Sequence, residues 1–367
     1  MGTHRPDRGE EPGRGQTRRL RVVVLGGTRF IGRAIVEDLA NTGHDLLIAH
    51  RGVLEPEGLP AAQHLHVDRM ELPANRAELA AFEPDAAIDC RALTRADAET
   101  ALAALPAGIR LVVISSMDVY RAFGAAIEGQ ETDPVPLDEE SPLRSERYPY
   151  RDKSPDRHDY DKLDVEDVYL PLGATSLRLP MVYGPRDYQL REEYILRRVR
   201  AGRTRIPSGA GSWLACRGYV GDIARGARLA LESTSTKGIA LNLCEDRTFS
   251  MAMWSRMILE AAGSNAELVR VADEMLPEDL KPTGTMTQHI AAGARRARAM
   301  LGWTTRTRLR RCAPPCAGTS TTRLPTRTRI SALTTEPWKP SNRSRSSRCR
   351  PDYSGRPQRP RIALGTI

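Results

Sequence analysis

Residues 21–32 read Arg-Val-Val-Val-Leu-Gly-Gly-Thr-Arg-Phe-Ile-Gly, and this stretch decides the fold. The four apolar residues that begin at Val22 are mostly β-branched, which is typical of a strand buried on both faces. Two glycines follow, and apolar residues then recur at helical spacing as far as Leu39. Strand, glycine turn and helix together predict a phosphate-binding corner, because a helix N-terminus offers unpaired N–H groups and the positive end of its dipole.

Single positions of this corner have separate expected roles. Gly26 permits the turn, and Gly32 lets the helix pack closely on the strand. Arg29 stands where a third glycine would bring the backbone against the phosphates. A plain alternative is a strand that meets a helix through glycines without any ligand, but the downstream spacing favours the binding corner. The residues expected to bind a dinucleotide here are Gly26, Thr28, Arg29, Phe30, Ile31 and Gly32.

The composition argues against several classes of protein. The chain has 367 residues, and no apolar run approaches the ~20 residues that a membrane-spanning helix needs. Residues 1–20 lack the apolar core of a secretory signal, so we interpret them as a disordered leader and expect a cytoplasmic protein. The six cysteines lack the spacing of a zinc site, so no metal is expected.

The formal net charge of +9 is concentrated at the C-terminal end of the chain. Residues 306–367 hold 15 Lys and Arg against two acids, whereas the remaining residues hold 40 basic and 44 acidic side chains. The body of the chain is therefore mildly acidic, which argues against a large nucleic-acid-binding face. The high isoelectric point belongs to the tail.

The segment 305–367 has neither helical nor strand periodicity and is rich in Arg, Thr, Ser and Pro. One interpretation is a basic tail of low order. A second comes from back-translation of residues 317–340 with GC-rich codons, since a shift by two bases then encodes WHLDHPPPDADADFSAYDRALEA. That string is acidic and ends in a helical pattern. We hypothesise an out-of-frame extension, which codon usage in the gene would test, and assign the tail no function.

Further apolar runs alternate with helical patterns along the body of the chain. They predict strands at residues 45–49, 64–67, 86–89, 109–115 and 174–179. Alternation of this kind predicts an α/β fold, a Rossmann-like doubly wound parallel sheet with a smaller C-terminal substrate-binding part. We expect a dinucleotide-binding domain at 21–180 and a substrate-binding region at 181–304, with segments near 213–245 partly returning to the sheet.

The end of the second strand bears on the choice of cofactor. An acidic side chain at this point binds the ribose 2′-hydroxyl of NAD, whereas an arginine suits the 2′-phosphate of NADP. Arg51 follows this strand and no acid is present beside it, so NADP is favoured and NAD stays open. The alternative is an ordinary solvated arginine at a strand end.

The glycine corner resembles that of the extended short-chain dehydrogenase/reductase superfamily, which includes the NAD-dependent epimerase/dehydratase family. Two later segments resemble the same superfamily, Ser-Ser-Met-Asp-Val-Tyr at 115–120 and Arg-Leu-Pro-Met-Val-Tyr-Gly-Pro at 178–185. The resemblance covers residues 21–303 in the expected order. It implies that the adenine lies near Asp68 and Arg69 and that the segment of Pro180 borders the nicotinamide.

The same resemblance assigns roles at the end of the fifth strand. Ser116 takes the place of the residue that hydrogen-bonds the reacting substrate oxygen. Dehydratases of the family carry an acidic pair next to it, where this chain has Met117 and Asp118. Because the first acid is missing, water elimination by the usual dehydratase chemistry is disfavoured.

The superfamily also places a tyrosine four residues before a lysine on one helix, and here two registers are open. Lys162 followed by Glu166 puts His158 in the tyrosine position, whereas Tyr160 in that position leaves Asp164 where lysine should be. Two residues correspond to about 200° around a helix, so Tyr160 and Lys162 could not share a face. We therefore favour His158 as the acid/base, an imidazole that works at neutral pH.

Two further interpretations of this helix stay open. A late helix start would let Tyr160 reach the site instead, and a lost acid/base would abolish hydride chemistry. In either catalytic register the resemblance implies that Lys162 binds the cofactor ribose and lowers the pKa of the acid/base. Arg217 is the substrate residue that the resemblance implies, because the matching arginine contacts the diphosphate of nucleotide sugars.

These residues predict an NAD(P)-dependent oxidoreductase or epimerase that transfers hydride on a sugar nucleotide or similar hydroxylated substrate. Its expected partner is that small molecule, with neither membrane nor nucleic acid, and a homodimer is an open expectation. The alternative is a non-catalytic NADP-binding or RNA-binding atypical member, since the glycine variant also resembles the chloroplast stem-loop-binding proteins. An enoyl or quinone reductase with a small substrate is a third.

Overall fold

A parallel sheet of seven strands lies at the centre of residues 18–306, the part of the chain that the computed structural model describes. The strands of this part are β1 (Arg21–Leu25), β2 (Asp45–His50), β3 (Gln63–His66), β4 (Ala86–Asp89), β5 (Arg110–Ser116), β6 (Thr175–Leu179), β7 (Met181–Tyr183), β8 (Arg205–Ser208), β9 (Arg217–Tyr219), β10 (Ala240–Asn242) and β11 (Glu267–Arg270). Across the central sheet their order is β10-β6-β5-β4-β1-β2-β3. The chain therefore leaves β1 in both directions, which creates the switch point where such sheets bind ligands.

The helices of the described residues are α1 (Phe30–Asn41), α2 (Arg76–Ala81), α3 (Arg95–Ala104), α4 (Arg121–Glu128), α5 (Lys162–Tyr169), α6 (Glu193–Arg200), α7 (Val220–Glu232), α8 (Met251–Ala261) and α9 (Arg295–Leu301). Short 3-10 turns occur at Arg69–Asn75, Met117–Val119, Pro155–Arg157, Leu170–Leu172, Asp273–Met275 and Glu278–Thr283. None of the helices between residues 18 and 306 has the length and apolar character that crossing a membrane requires.

Helices cover both faces of the sheet because alternate residues of each strand point to opposite sides. In β1, Val22 and Val24 join a core with α1 and α7, whereas Val23 and Leu25 join a second core with α3 and α5. Both cores are closed to solvent, and each fully buried aliphatic side chain contributes about 1.5–3 kcal/mol. The predicted α/β class, with a doubly wound parallel sheet, is confirmed.

A smaller body follows β6. Two short parallel pairs, β7 with β9 and β8 with β11, stand apart from the central sheet. Helices α6 and α8 pack over a separate apolar core that includes Ile195, Ile206 and Trp254. The chain then returns, since β10 extends the central sheet beside β6 and α9 packs on α7 and β10.

Two local expectations are wrong. The polar, proline-containing sequence of residues 124–157 predicts a mostly irregular segment, but residues 121–128 form the amphipathic helix α4. The apolar spacing after Asp222 predicts that this residue is the N-cap of a helix, but α7 has Tyr219 as its N-cap and begins at Val220, so Asp222 lies in its first turn. The carboxylate of Asp222 instead accepts a hydrogen bond from the backbone N–H of Arg306 at 3.1 Å. Most of the predicted leader and all of the tail after residue 306 lie outside the described residues.

Candidate active site

The corner between β1 and α1 is built around two glycines. Gly26 has φ +88°, a conformation that strains any L side chain. A Cβ at Gly32 would lie 2.1 Å from the carbonyl oxygen of Gly26, so only glycine lets α1 approach the turn this closely. The first turn of α1 contains no acidic residue, which leaves its N–H groups and dipole available to an anion.

Two arginines lie exposed at this edge of the sheet. Arg29 precedes α1 directly and holds its guanidinium 4.4 Å from the centre of the Tyr188 ring. Arg51 follows the last residue of β2. Within residues 18–306 neither arginine forms an ion pair, so both guanidinium groups can bind a phosphate.

The two residues predicted near the adenine, Asp68 and Arg69, have different hydrogen-bond partners and different exposure. Asp68 caps a 3-10 turn by accepting a hydrogen bond from the backbone N–H of Met70. Arg69 forms a bidentate ion pair with buried Asp89 and also donates to the carbonyl oxygen of Asp97. The guanidinium of Arg69 is therefore engaged by the protein, and only Asp68 is exposed at this point.

At the end of β5, Ser116, Asp118 and Tyr160 form a buried polar cluster. The backbone N–H of Asp118 donates to Oγ of Ser116 at 3.0 Å, and the Tyr160 hydroxyl donates to Oδ2 of Asp118 at 2.8 Å. Burial raises the pKa of Tyr160 well above its usual value, Asp118 adds to this shift, and Ser116 acts against it. Burial also raises the pKa of Asp118, whose Oδ1 is buried without a hydrogen-bond partner.

Lys162 lies buried beneath the same cluster. Its ammonium donates to the carbonyl oxygens of Ala92 at 2.6 Å and Ile114 at 2.8 Å, which follow β4 and lie in β5. Burial lowers the pKa of Lys162 to about 8, and the charge of Asp118 acts in the opposite direction. The charge of Asp118 thus acts on the pKa of the Lys162 ammonium as well as on that of the Tyr160 phenol.

The register that favours His158 assumes one helix from residue 158 to 166, but His158 does not share a helix with Lys162. Helix α5 begins at Lys162, and Asp161, with φ −155°, caps it by accepting from the N–H of Leu163. His158 is exposed in the preceding turn, where its Nδ1 lies 2.7 Å from Oδ1 of Asp159. The rotation of about 200° between residues two apart holds only within a helix, and Tyr160 lies before the start of α5.

The sequence carries a capping signal for the start of α5. Asp161 is a favoured N-cap residue, and Asp164 three positions later places a second acid in the first turn. Such a pair predicts a helix that begins at Lys162. With that start, Tyr160 falls in extended chain and is free to turn into the site.

Glu166, on α5, joins that helix to the sheet. Its carboxylate accepts hydrogen bonds from the hydroxyls of Ser115 and Ser176 at 2.7 and 2.9 Å and forms a bidentate ion pair with Arg178. All four side chains are buried, so removal of one would leave uncompensated polar groups. This network fixes α5, and thereby Lys162, against β5 and β6.

Arg217 begins β9 and is buried in the smaller body. It donates to the carbonyl oxygen of Ala215 at 2.7 Å, contacts the sulfur of Met251 at 3.0 Å, and stacks 4.4 Å from the centre of the Trp254 ring. Among the described residues no carboxylate lies within 4.0 Å of this guanidinium. Burial lowers its pKa, which marks a charge that lacks full compensation by the protein.

Two acids near Arg217 were not predicted from the sequence. Burial raises the pKa of Glu192 to about 7, and its Oε1 has no hydrogen-bond partner. Glu245 accepts a hydrogen bond from the hydroxyl of Tyr183 at 2.6 Å, and burial raises its pKa as well. Neither acid belongs to a motif, so no signal in the sequence separates them from surface glutamates. Pro180, predicted to border the nicotinamide, is buried at the end of β6.

The sequence matches one family model and two characterised proteins. The sequence model of the NAD dependent epimerase/dehydratase family matches residues 22–244. A chloroplast stem-loop binding protein of 41 kDa from Arabidopsis thaliana is 24% identical over 300 residues, which are 77% of this chain and 74% of that protein. The 2'-dehydrokanamycin reductase of Streptomyces kanamyceticus is 38% identical over 101 residues, 27% of this chain and 28% of that enzyme.

Solved structures show the same fold at low identity. The Bordetella bronchiseptica enzyme WbmG, in complex with NAD, superposes with a TM-score of 0.59 at 16% identity, over 80% of this chain and 91% of that one. The UDP-glucose 4-epimerase of Thermotoga maritima, with UDP-glucose, superposes with a TM-score of 0.56 at 18% identity, over 78% and 93%.

Proposed function

This chain belongs to the NAD dependent epimerase/dehydratase family, and we propose that it is an NAD(P)-dependent oxidoreductase or epimerase of a hydroxylated sugar substrate. The observation that carries the proposal is the meeting of Tyr160, Ser116 and Lys162 at the carboxyl end of β5. These are the groups needed to bind a substrate oxygen, exchange its proton and place a positive charge beside it.

The described residues fit a dinucleotide. Gly26 and Gly32 keep side chains out of the corner where a pyrophosphate would approach the N-terminus of α1. Arg29 and Arg51, both exposed and without ion pairs in the described part of the chain, would hold a 2′-phosphate, so we propose NADP over NAD. When bound, the nicotinamide supplies the hydride donor or acceptor.

Tyr160 would move the proton. Because burial and Asp118 raise its pKa, the phenol keeps its proton and can give it to a substrate oxygen that competes with Asp118 for the hydrogen bond. Ser116 would donate a second hydrogen bond to the same oxygen. In this protonated state the phenol can act as the proton donor when a carbonyl is reduced.

Arg217 would recognise the anionic part of the substrate. A buried guanidinium with no carboxylate within 4.0 Å, among residues 18–306, is prepared for a phosphate oxygen, and its planar fork matches a diphosphate. We therefore propose a nucleotide sugar as the substrate. The UDP-glucose named for the Thermotoga enzyme has this chemistry.

The experiment compares Tyr160→Phe with His158→Ala in turnover of a panel of UDP- and dTDP-sugars and their keto forms, with NADP(H) and NAD(H). We expect Tyr160→Phe to lower kcat by about 10²–10⁴-fold, the usual contribution of a proton donor, with binding of the cofactor retained. His158→Ala should keep kcat within about twofold, because its side chain is exposed and bonded to Asp159.

Two outcomes would contradict this function. Binding of NADPH without turnover of any sugar in the panel would leave a non-catalytic dinucleotide-binding protein. A loss of activity in His158→Ala with full activity in Tyr160→Phe would return the acid/base role to the histidine. Arg217→Ala serves as the substrate control, since it should raise KM for nucleotide sugars and leave the affinity for NADPH unchanged.

A further inference from the structure

Three histidines and a glutamate meet at the β3 edge of the sheet, in a cluster that the proposed reaction does not use. His50 ends β2 and His66 ends β3, and these two residues are paired in the register of the two strands. His64 lies two residues before His66, on the same face of β3. Glu55 reaches the group from the loop that connects β2 and β3. The histidine-glutamate cluster is therefore His50, Glu55, His64 and His66.

The ligand atoms of the cluster converge on one point. Nε2 of His50 lies 2.8 Å from Nδ1 of His64 and 3.6 Å from Oε1 of Glu55, and that carboxylate is also ion-paired with Nε2 of His66. One such atom from each of the four residues lies within 4.8 Å of all the others. A tetrahedral zinc ion with bonds of about 2.0–2.1 Å holds its ligand atoms roughly 3.4 Å apart, so small side-chain rotations would suffice.

From this convergence we propose that the histidine-glutamate cluster is a binding site for Zn²⁺ or a similar divalent transition metal. Imidazole nitrogen and carboxylate oxygen are ordinary ligands of such ions, and three histidines with one glutamate complete a tetrahedron. His50 is buried and supplies the rigid side of the site. His66 and Glu55 are about half exposed, with side-chain accessibilities of 54% and 45%, and give an ion a path from solvent.

The backbone next to His50 must adjust when the ion binds. The N–H of Gly52 donates to Nδ1 of His50 at 3.2 Å, whereas a ring that binds metal through Nε2 carries its proton on Nδ1. Gly52 has φ +69° and lies in an exposed stretch, so its peptide can turn away without disturbing a core. The loss of this one long hydrogen bond is a small cost beside the formation of four metal–ligand bonds.

The test uses the full-length chain without an affinity tag, stripped of metal with a chelator and titrated with Co²⁺ and then with Zn²⁺. We expect the visible bands of tetrahedral cobalt and their loss on displacement by zinc. Glu55→Gln and His66→Ala should each weaken the affinity by at least the roughly 10–100-fold that loss of an outer-shell partner costs, since each removes a ligand. Both residues are exposed, so the variants should fold, which circular dichroism and thermal unfolding check.

His158→Ala is the matched control for metal binding, because it removes an exposed histidine that is also paired with a carboxylate, Asp159. Its affinity for cobalt should equal that of the wild type. Two results would overturn the proposal, an octahedral cobalt spectrum in the wild type or an affinity that is the same in the wild type, Glu55→Gln and His66→Ala. Equal affinity in the three proteins would mean that any bound ion lies at another site, for example on cysteines.

Discussion

At the scale of single residues, Lys162 gives the proposed reaction an alkaline limit. Burial lowers its pKa to about 8, so the ammonium loses its proton as the pH rises through that value. We expect kcat/KM to fall above about pH 8, because the positive charge beside Tyr160 and the cofactor ribose disappears. The pH profile of kcat/KM measures this limb.

Lys162→Arg is the informative variant for this limb, because a guanidinium stays charged at every accessible pH. Its activity should be lower throughout, since the larger head cannot reproduce both bonds to Ala92 and Ile114. Its profile should nevertheless stay flat where the wild type declines. A decline at the same pH in both proteins would assign the limb to another group.

Glu192 gives a second pH effect, on stability. Burial and the nearby Asp187 raise its pKa to about 7 from an ordinary 4.5, so the folded state binds more protons than the unfolded chain between these values. Its contribution to stability is therefore favourable at low pH and falls as the pH rises from about 4.5 through 7. The buried carboxylate costs up to about 3 kcal/mol at pH 8.

Glu192→Gln should raise the melting temperature at pH 8 and leave it unchanged at pH 4, because the amide keeps the shape and removes the charge. We expect a gain of about 1–3 kcal/mol in the free energy of unfolding. The neighbour Glu193, which pairs with Arg200, provides the control variant Glu193→Gln. An equal shift at both pH values would show that shape, and not charge, is responsible.

At the scale of elements, the β1–α1 corner depends on the absence of a side chain at Gly32. Gly32→Ala places a Cβ 2.1 Å from the carbonyl oxygen of Gly26, so α1 must move outward. We expect a loss of about 1–3 kcal/mol and weaker binding of the dinucleotide, since the helix N-terminus leaves its position. Urea unfolding and NADPH titration measure the two effects.

Gly124 in α4 is the matched control for this substitution. It is also a helical glycine, but an added Cβ would have no neighbour within 4 Å. Gly124→Ala should therefore be neutral or stabilise the protein by roughly 0.5–1 kcal/mol, the gain expected from helix propensity. A destabilisation equal to that of Gly32→Ala would remove the steric explanation.

The sequence predicted elements better than the positions of side chains. The strands at 45–50 and 86–89 were predicted within a residue, because long apolar runs between turns are a strong local signal. Helix α4 is hard to predict because it is only eight residues long and runs into a polar, proline-containing stretch.

The candidate active site is harder to predict from the sequence than the elements, because its side chains come from segments that are distant in the chain. The spacing rule that favours His158 over Tyr160 assumes one unbroken helix, whereas α5 starts only at Lys162. The partner of Tyr160, Asp118, lies 42 residues away in the chain, and only the folded sheet brings them together.

At the scale of the whole molecule, the segment after α9 is held against α7 by one side chain, that of Trp303. Trp303 is fully buried, and its indole N–H donates to the carbonyl oxygen of Asp222 in α7 at 2.8 Å. Its ring also lies beside Gly226, where a Cβ would come within 3.0 Å of the indole nitrogen. One side chain therefore ties the segment after α9 to the helix that covers β4, β5 and β6.

Trp303→Ala should lower the free energy of unfolding by about 3–5 kcal/mol, since it opens a large cavity. Trp303→Phe should cost less, because it keeps most of the packing and loses the hydrogen bond. Equilibrium urea unfolding measures both. Met275→Ala, at a side chain that is 71% exposed, is the control and should change little. A similarly small effect of Trp303→Ala would mean that α7 does not need this segment.

The extended residue Asp161, between Tyr160 and Lys162, has a consequence for how such proteins are recognised. Because of this extended residue, the Tyr160 hydroxyl donates to Asp118 while the Lys162 ammonium, only two positions later, donates to the carbonyl oxygens of Ala92 and Ile114. A sequence search that requires a tyrosine four residues before a lysine would classify this chain as a catalytically inactive homologue. With Tyr160 as the proposed acid/base, a count of inactive homologues that rests on this spacing alone would wrongly include this chain.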